Sequence, residues 1–331
     1  MKVVFICKTT WEHFVALVEA ATLFKNKGIK SSFVVEWAEE NADFINRVSE
    51  LEFVDQLQVV ILNQNKYIKA LAFHYRCFFS LKKLLSEYCS DDYKVNLFVD
   101  QSVIGQMFIH SGKKVDLYEH GNGNYLVGGY PNYKFIKKIL GITAGYGRHD
   151  SVENVYLQNP NKSPSDISEK VRKLDLDSNF VNLSENIKQN IFDVFNVKAI
   201  DDYANVIILT QPLSEDGMID ESDKISIYQG FIDKYSHVVI KPHPRDKTNY
   251  QEECIGDFVV LESSFPIEIL NFTTVRFDTV CTVCSGSAYN FSYPVNVDIY
   301  GTIGSERMVS VLGSIRKSYI EKEKYMDIEY S

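Results

Sequence analysis

No uninterrupted apolar run of about 18 residues occurs in this 331-residue chain, so no membrane-spanning helix is expected. An excess of basic residues is lacking too. Asp and Glu number 44 against 35 Lys and Arg, a net charge of -9. Nucleic acid and an anionic membrane both need a basic surface, so neither is expected as the main partner. Proline is sparse, at 8 residues, and no internal repeat or low-complexity tract is present. There is no P-loop, no G-x-G-x-x-G and no cluster of metal-ligating histidines. Cysteine is limited to positions 7, 77, 89, 254, 281 and 284, several inside apolar runs. That is the usage of reduced, buried thiols in a cytoplasmic protein. Cys281-x-x-Cys284 has no second pair, so zinc is not expected there. The opening MKVVFIC turns polar at Lys8-Thr9-Thr10, which reads as a first strand and not as a cleaved signal.

What is present is a globular composition, 45% hydrophobic and 24% charged, rich in Tyr and Phe and long enough for two domains. Strands are expected at 2–7, 31–35, 54–62, 95–99 and 114–118. Helices are expected at 11–27, stopped by Gly28, at 67–88 and at 101–111. Such alternation predicts a Rossmann-like domain over 1–158. Residues 159–200, opening with Asn159-Pro160-Asn161-Lys162-Ser163-Pro164, read as a linker with charged helical segments. Alternation resumes over 201–331. Strands are expected at 206–209, 238–241, 258–261, 279–283 and 295–298. Helices are expected at 225–235, 266–272, from 287 and over 306–320. The fold class is therefore α/β, two facing Rossmann-like domains with parallel sheets and a cleft between them.

The second half is organised around Val238-Val239-Ile240-Lys241-Pro242-His243-Pro244-Arg245-Asp246. Its apolar run shows no alternation, as in a strand buried on both faces. The prolines end that strand near Lys241. Ligands of open α/β sheets sit at the carboxyl ends of strands, so Lys241, His243 and Pro244 fall at a site edge.

Four further stretches carry candidate chemistry. Tyr118-Glu119-His120-Gly121-Asn122 closes a strand with an acid and a glycine turn. Glu119 is a candidate general base there, although a solvated turn accounts for it equally. Cys284-Ser285-Gly286-Ser287 suits either a phosphate site or a plain N-cap. In Phe265-Pro266-Ile267-Glu268, Pro266 fits the first helical position, and Glu268 either meets sugar hydroxyls or only the helix dipole. Ser214-Glu215-Asp216-Gly217 offers a competing acid pair, though it is also good turn chemistry.

In order, Lys8-Thr9-Thr10, Tyr118-Glu119-His120-Gly121, Lys241-Pro242-His243-Pro244, Pro266-x-Glu268 and Ser285-Gly286-Ser287 resemble the bacterial sialyltransferases. The likeness is to glycosyltransferase family 52 and its relatives acting on lipooligosaccharide, O-antigen or capsule. The resemblance implies a GT-B fold, a CMP-sialic acid donor and inversion at the anomeric carbon with no metal or other cofactor. It also implies a galactose-terminated glycan or glycolipid as acceptor. It assigns Glu119 as base on the acceptor hydroxyl and His243 as donor to the departing CMP phosphate. Lys241 would meet cytosine or phosphate, and Glu268 the ribose. Ser285, Gly286, Ser287 and Pro244 would border the phosphate. Thr9, Thr10, His120, Gly121 and Asn122 fall on the acceptor side. His120 replaces the second acid of the family motif, which keeps Glu215 and Asp216 open as alternative bases. Another donor, CMP-Kdo or a UDP-sugar, and a non-catalytic binding protein remain the rival readings. A cytoplasmic location at the inner membrane face fits such a substrate, with membrane contact and homodimer formation left open.

Overall fold

The computed structural model describes residues 1–37, 42–61, 78–128, 145–197 and 204–327. They form two compact units, Met1–Val194 and Phe195–Ser331. In the first, β1 (Lys2–Cys7), β2 (Ser31–Trp37), β3 (Val54–Ile61), β4 (Tyr93–Leu97), β5 (Val115–Tyr118), β6 (Val152–Leu157) and β7 (Val171–Lys173) make one sheet of order β3-β2-β1-β4-β5-β6-β7. Every pairing in it is parallel. Its helices are α1 (Thr10–Lys27), α2 (Ala42–Ser49), α3 (Phe78–Tyr88), α4 (Val103–His110), α5 (Leu176–Val181) and α6 (Glu185–Val194).

The second sheet has the order β10-β9-β8-β11-β12-β13. It contains β8 (Val206–Leu209), β9 (Val238–Lys241), β10 (Phe258–Val260), β11 (Thr279–Thr282), β12 (Asn296–Ile299) and β13 (Ser318–Ile320). Only β13 runs antiparallel among the described strands. Helices α7 (Glu221–Lys234), α8 (Tyr250–Glu253) and α9 (Glu306–Leu312) accompany it. The strands VIIL of β8 and VVIK of β9 are buried along their whole length, which is why their sequences are continuous apolar runs. The strand order reverses direction between β1 and β4 in one sheet and between β8 and β11 in the other. Those are the positions where open α/β sheets leave a crevice at their carboxyl edge.

Several expectations need correction. Residues 159–194 do not form a linker. They supply β7, α5 and α6 to the first unit, where the Phe180 ring lies 5.9 Å from Phe14 and Asn179 Nδ2 donates to Glu19 at 2.7 Å. Strands β6 and β7 escaped the sequence reading because Glu153 and Asn154 interrupt one, and the other is a short polar edge. The helix expected over 306–320 stops at Leu312, where Gly313 turns with φ +81°, and Ser318–Ile320 then pairs with β12. The segment at 266–272 is a 3₁₀ helix, Ile267–Phe272, with Pro266 as its N-cap. The helix expected from Ser287 is a four-residue 3₁₀ turn, Gly286–Tyr289. Of the helix expected at 67–88, residues 67–77, including Cys77, lie outside the described residues.

Candidate active site

Because β10, β9, β8 and β11 are neighbours, their carboxyl ends stand side by side, and the loops that follow carry most of the donor-side candidates. These loops are laced together. Lys241 Nζ donates to Pro242 O and to Ser263 O, each at 3.1 Å, joining the loops after β9 and β10. Cys284 N donates to Gln211 Oε1 at 3.0 Å, joining those after β11 and β8. Asn290 Nδ2 donates to Glu268 Oε1 at 2.6 Å, which ties the 267–272 helix to the Gly286–Tyr289 turn.

His243 is held by its backbone and by its ring. Its N–H donates to Thr210 Oγ1 at 3.1 Å, and its Nδ1 accepts from Arg245 N at 3.0 Å. An Nδ1 that accepts leaves the proton of the neutral ring on Nε2, so the free end of the imidazole is a donor. Burial pushes the His243 pKa down, with help from the Arg245 and Lys241 charges, and Asp246 and Asp216 offset part of this. Lys241 is itself buried, with its ammonium 4.4 Å from the centre of the Phe265 ring. Burial brings its pKa down to about 7, against the upward pull of Glu268 and Glu262. Pro244 is exposed on the same loop.

A buried charge network fixes this loop, and the sequence reading missed its centre. Lys224 has no exposed surface and meets Glu215 and Asp246 at 3.0 Å each and Glu221 at 3.3 Å. Asp246 also accepts from Thr210 Oγ1, and from Tyr250 Oη at 2.7 Å. Glu215 accepts from Lys247 N at 2.6 Å. Burial alone would raise the Glu215 carboxyl, but the donors from Lys247, its own amide, Lys224 and Ser214 bring it down to about 2. Glu215 is thus a fixed anion and a poor proton acceptor. Asp216 differs. It keeps 27% of its side chain exposed and is gripped at both oxygens by Arg245, at 2.6 and 3.0 Å. Arg245 therefore bridges the acid loop and His243.

Ser285 is the N-cap of the short turn and accepts from Ser287 N at 3.3 Å. Ser287 Oγ has no hydrogen-bond partner among the described residues and is half-buried. A turn of four residues has no macrodipole of consequence, so any anion here must rely on hydroxyl and amide donors. Gly286 is exposed, and a Cβ built on it would meet nothing within 4 Å.

In the first unit, Glu119 is buried, and its carboxylate already accepts three hydrogen bonds. They come from Tyr125 Oη at 2.6 Å, Gln158 N at 2.7 Å and Gln158 Nε2 at 3.2 Å. Its carbonyl accepts from Trp11 Nε1 at 3.1 Å. This acid locks the 122–125 turn to the end of β6. His120 Nδ1 lies 2.6 Å from Glu12 Oε1, an ion-pair distance off the line of a good hydrogen bond. Gly121, at φ +152° and ψ -163°, holds a conformation that is essentially closed to other residues. Thr9 is the N-cap of α1, closed into a capping box by Glu12, and Thr10 opens the helix. The side chain of Asn122 lies outside the described residues. Glu12, Gln158 and Lys224 were invisible as site residues because each reads locally as a helix or loop polar residue.

The histidine, the buried lysine and the serine hydroxyls lie on loops at the carboxyl edge of the second sheet, and both sheets are doubly wound, the α/β class of the GT-B fold. The profile of glycosyltransferase family 52 matches residues 33–303, so the chain belongs to that family and is a glycosyltransferase. An uncharacterised protein of Haemophilus influenzae is 34% identical over 206 residues, 60% of this chain and 66% of that one. Among solved structures, the GT-B domain of a sialyltransferase from Photobacterium damselae aligns with a TM-score of 0.57 at 12% identity, covering 88% of this chain and 90% of that one. A 2,6-sialyltransferase of another Photobacterium, solved with CMP and lactose, gives 0.58 at 13% identity over 87% and 69%. The UDP-GlcNAc 2-epimerase of Neisseria meningitidis gives 0.54 at 13% identity over 99% and 90%. At these identities the likeness is one of fold. Among the described residues, no helix is long and apolar enough to cross a membrane.

Proposed function

We propose that this glycosyltransferase is an inverting sialyltransferase, moving sialic acid from CMP-sialic acid to the terminal galactose of a bacterial surface glycan. Lipooligosaccharide and O-antigen are the acceptors that suit this reading, with an α-2,3 linkage and no metal. The observation that carries it is the donor end of His243, whose Nδ1 accepts from the Arg245 amide on a loop held to Thr210. CMP leaves as a phosphate monoester whose second pKa is about 6, so it departs as a stable anion without full protonation. A hydrogen-bond donor aimed at that oxygen is then enough to stabilise developing charge. His243 Nε2 supplies it, and the Ser287 hydroxyl is a second donor in this reading. Lys241 faces the nucleotide, and Glu268 the ribose.

The proton acceptor in this proposal is Asp216. Of the three acids, Glu119 accepts three hydrogen bonds and Glu215 is pinned by Lys224, while Asp216 accepts one Arg245 donor on each oxygen and keeps 27% of its side chain exposed. In the single displacement the acceptor oxygen bonds to the anomeric carbon, and the bond from that carbon to the phosphate oxygen breaks. The electron pair leaves with CMP, and the hydroxyl proton passes to Asp216.

The test is incubation with CMP-sialic acid and a panel of galactosides in the presence of a chelator, followed by mass and linkage analysis. CMP and UDP titrations by calorimetry accompany it. His243→Ala and Asp216→Asn should each lose at least about a hundredfold in turnover while remaining folded, the usual contribution of a placed acid or base. Binding of UDP but not CMP would end the sialyltransferase reading. If Glu119→Gln abolishes turnover and Asp216→Asn does not, the base is the strand-end acid of the first unit. CMP binding without any transfer would leave a non-catalytic binding protein.

A further inference from the structure

Strand β8 lies between β9 and β11, so its carboxyl end stands between the histidine loop and the serine turn. The two residues that follow it, Thr210 and Gln211, each reach one of them. Thr210 is 3% exposed. Its hydroxyl carries a single proton, which goes to Asp246 Oδ2. Its lone pairs are left for the His243 amide, which donates to it at 3.1 Å. The other oxygen of Asp246 accepts from Lys224 Nζ at 3.0 Å and from Thr248 N at 3.1 Å. A directed chain therefore runs from the buried lysine through Asp246 and Thr210 to the histidine.

Three hydrogen bonds fix His243. Besides the amide bond to Thr210, Nδ1 accepts from Arg245 N at 3.0 Å and the carbonyl accepts from Asp246 N at 2.9 Å. The last two are internal to the loop. Among the described residues, the Thr210 bond alone ties the histidine itself to another strand end. Gln211 does the equivalent on the other side. Its N–H donates to Oη of the fully buried Tyr228 at 2.7 Å. Its Oε1 accepts from Cys284 N at 3.0 Å and from Cys284 Sγ at 3.2 Å. Cys284 leads directly into Ser285, whose own amide donates to Thr282 Oγ1 at 3.0 Å.

We propose that Thr210 and Gln211 are positioning residues, Thr210 for the His243 imidazole and Gln211 for the Ser285-Gly286-Ser287 turn. Two adjacent positions then set the spacing of the groups assigned to the leaving phosphate, a supporting layer that preorganises the site. The assignment rests on the transfer reading above and adds the residues that hold its donor side in place.

The test crosses two variants with two readouts in the full chain. Thr210→Val should fold, because Asp246 keeps its donors from Lys224, Tyr250 and Thr248. Nitrogen spectra of the neutral His243 ring should show the proton on Nε2 in the wild type. In Thr210→Val the loop loosens, and a mixture of tautomers should appear while the Ser285 and Ser287 amide resonances stay in place. Thr210→Ser keeps the hydroxyl and should restore the single tautomer. Gln211→Met should do the reverse, moving the serine amides and leaving the tautomer unaltered. A displacement of about 1 Å costs roughly a hundredfold in rate, so Thr210→Val should lower kcat by about ten- to a hundredfold at unchanged CMP affinity. Gln211→Met should weaken CMP binding by roughly tenfold or more, the worth of one hydrogen bond to a charged group. An unaltered tautomer in Thr210→Val, no restoration by Thr210→Ser, unmoved serine amides in Gln211→Met, or the same losses in both variants would each overturn the assignment. The resonances need no activity, so failure of the transfer reading is seen separately, as the expected shifts in a chain that neither binds CMP nor transfers sialic acid.

Discussion

Replacing Lys224 by Met removes the one side-chain cation paired with Glu215 and Asp246 among the described residues while keeping most of the buried stem volume. Breaking a buried ion pair from one side costs about 3–5 kcal/mol, because the partner charges stay behind unpaired. The structure argues for the lower end. Asp246 is fully buried, but Glu215 keeps 17% of its side chain exposed and Glu221 48%, so water screens two of the three carboxylates. A loss of about 3 kcal/mol is a large part of the stability of a unit of this size, and corresponds to a fall in Tm of about 10 °C. Scanning calorimetry at pH 7 measures it. The pH dependence carries a second check. Glu215 titrates near 2 in the folded chain, below its ordinary 4.5, so its stabilisation is present above pH 4.5 and is lost as pH falls through about 2. Without Lys224 that advantage shrinks, and the gap between wild type and variant should narrow as the solution is acidified. Adding Glu215→Gln to Lys224→Met should recover part of the loss, since it removes one stranded anion. A Tm within about 3 °C of wild type at pH 7, or a double variant no more stable than the single one, would refute the view that Lys224 braces this loop.

Three further outcomes follow from the donor side. Ser287→Ala should weaken CMP binding roughly ten- to a hundredfold by calorimetry, whereas an unchanged constant would leave Ser287 with no donor role. Gly286→Ala should fold with an unaltered Tm, because its Cβ meets no protein atom within 4 Å, yet bind CMP more weakly if the donor lies against that backbone. Lys241, at about 7, loses its charge as pH rises through neutrality. CMP affinity should accordingly fall between pH 6 and pH 8.5 by titration, and Lys241→Met should remove that part of the pH dependence.

Much of the fold was legible because its central strands are apolar runs without alternation. Val206–Leu209 and Val238–Lys241 fall where the runs do, since strands buried on both faces leave no polar residue to blur their ends. The end of α1 was legible through Gly28, whose capping chemistry is local, while the capping box of Thr9 and Glu12 at its start went unread. Edge strands lack such a signal. Val171-Arg172-Lys173 is exposed on an edge, and its pairing with β6 depends on residues far away in sequence. The tail was misread for a related reason. Glu306–Leu312 has a helical pattern, and only the left-handed turn at Gly313 and the open edge of β12 make Ser318–Ile320 a strand.

At the site, the sequence located loops more readily than roles. A strand ending in Lys-Pro-His-Pro must present its histidine at the sheet edge, and it does. Which acid has oxygen to spare is a different kind of fact. Glu119, Glu215 and Asp216 are all acids in turn-like sequence, and they differ only in the donors that reach them across the fold. Those are Tyr125 and Gln158 for the first, Lys224 and the Lys247 amide for the second, and the Arg245 fork for the third. Gln158 is 39 positions from Glu119, and Arg245 is 29 from Asp216. No local pattern encodes such meetings. Saturation by distant donors is what separates a structural carboxylate from an available one, and Asp216, with one donor on each oxygen and part of its side chain exposed, is the most available of the three.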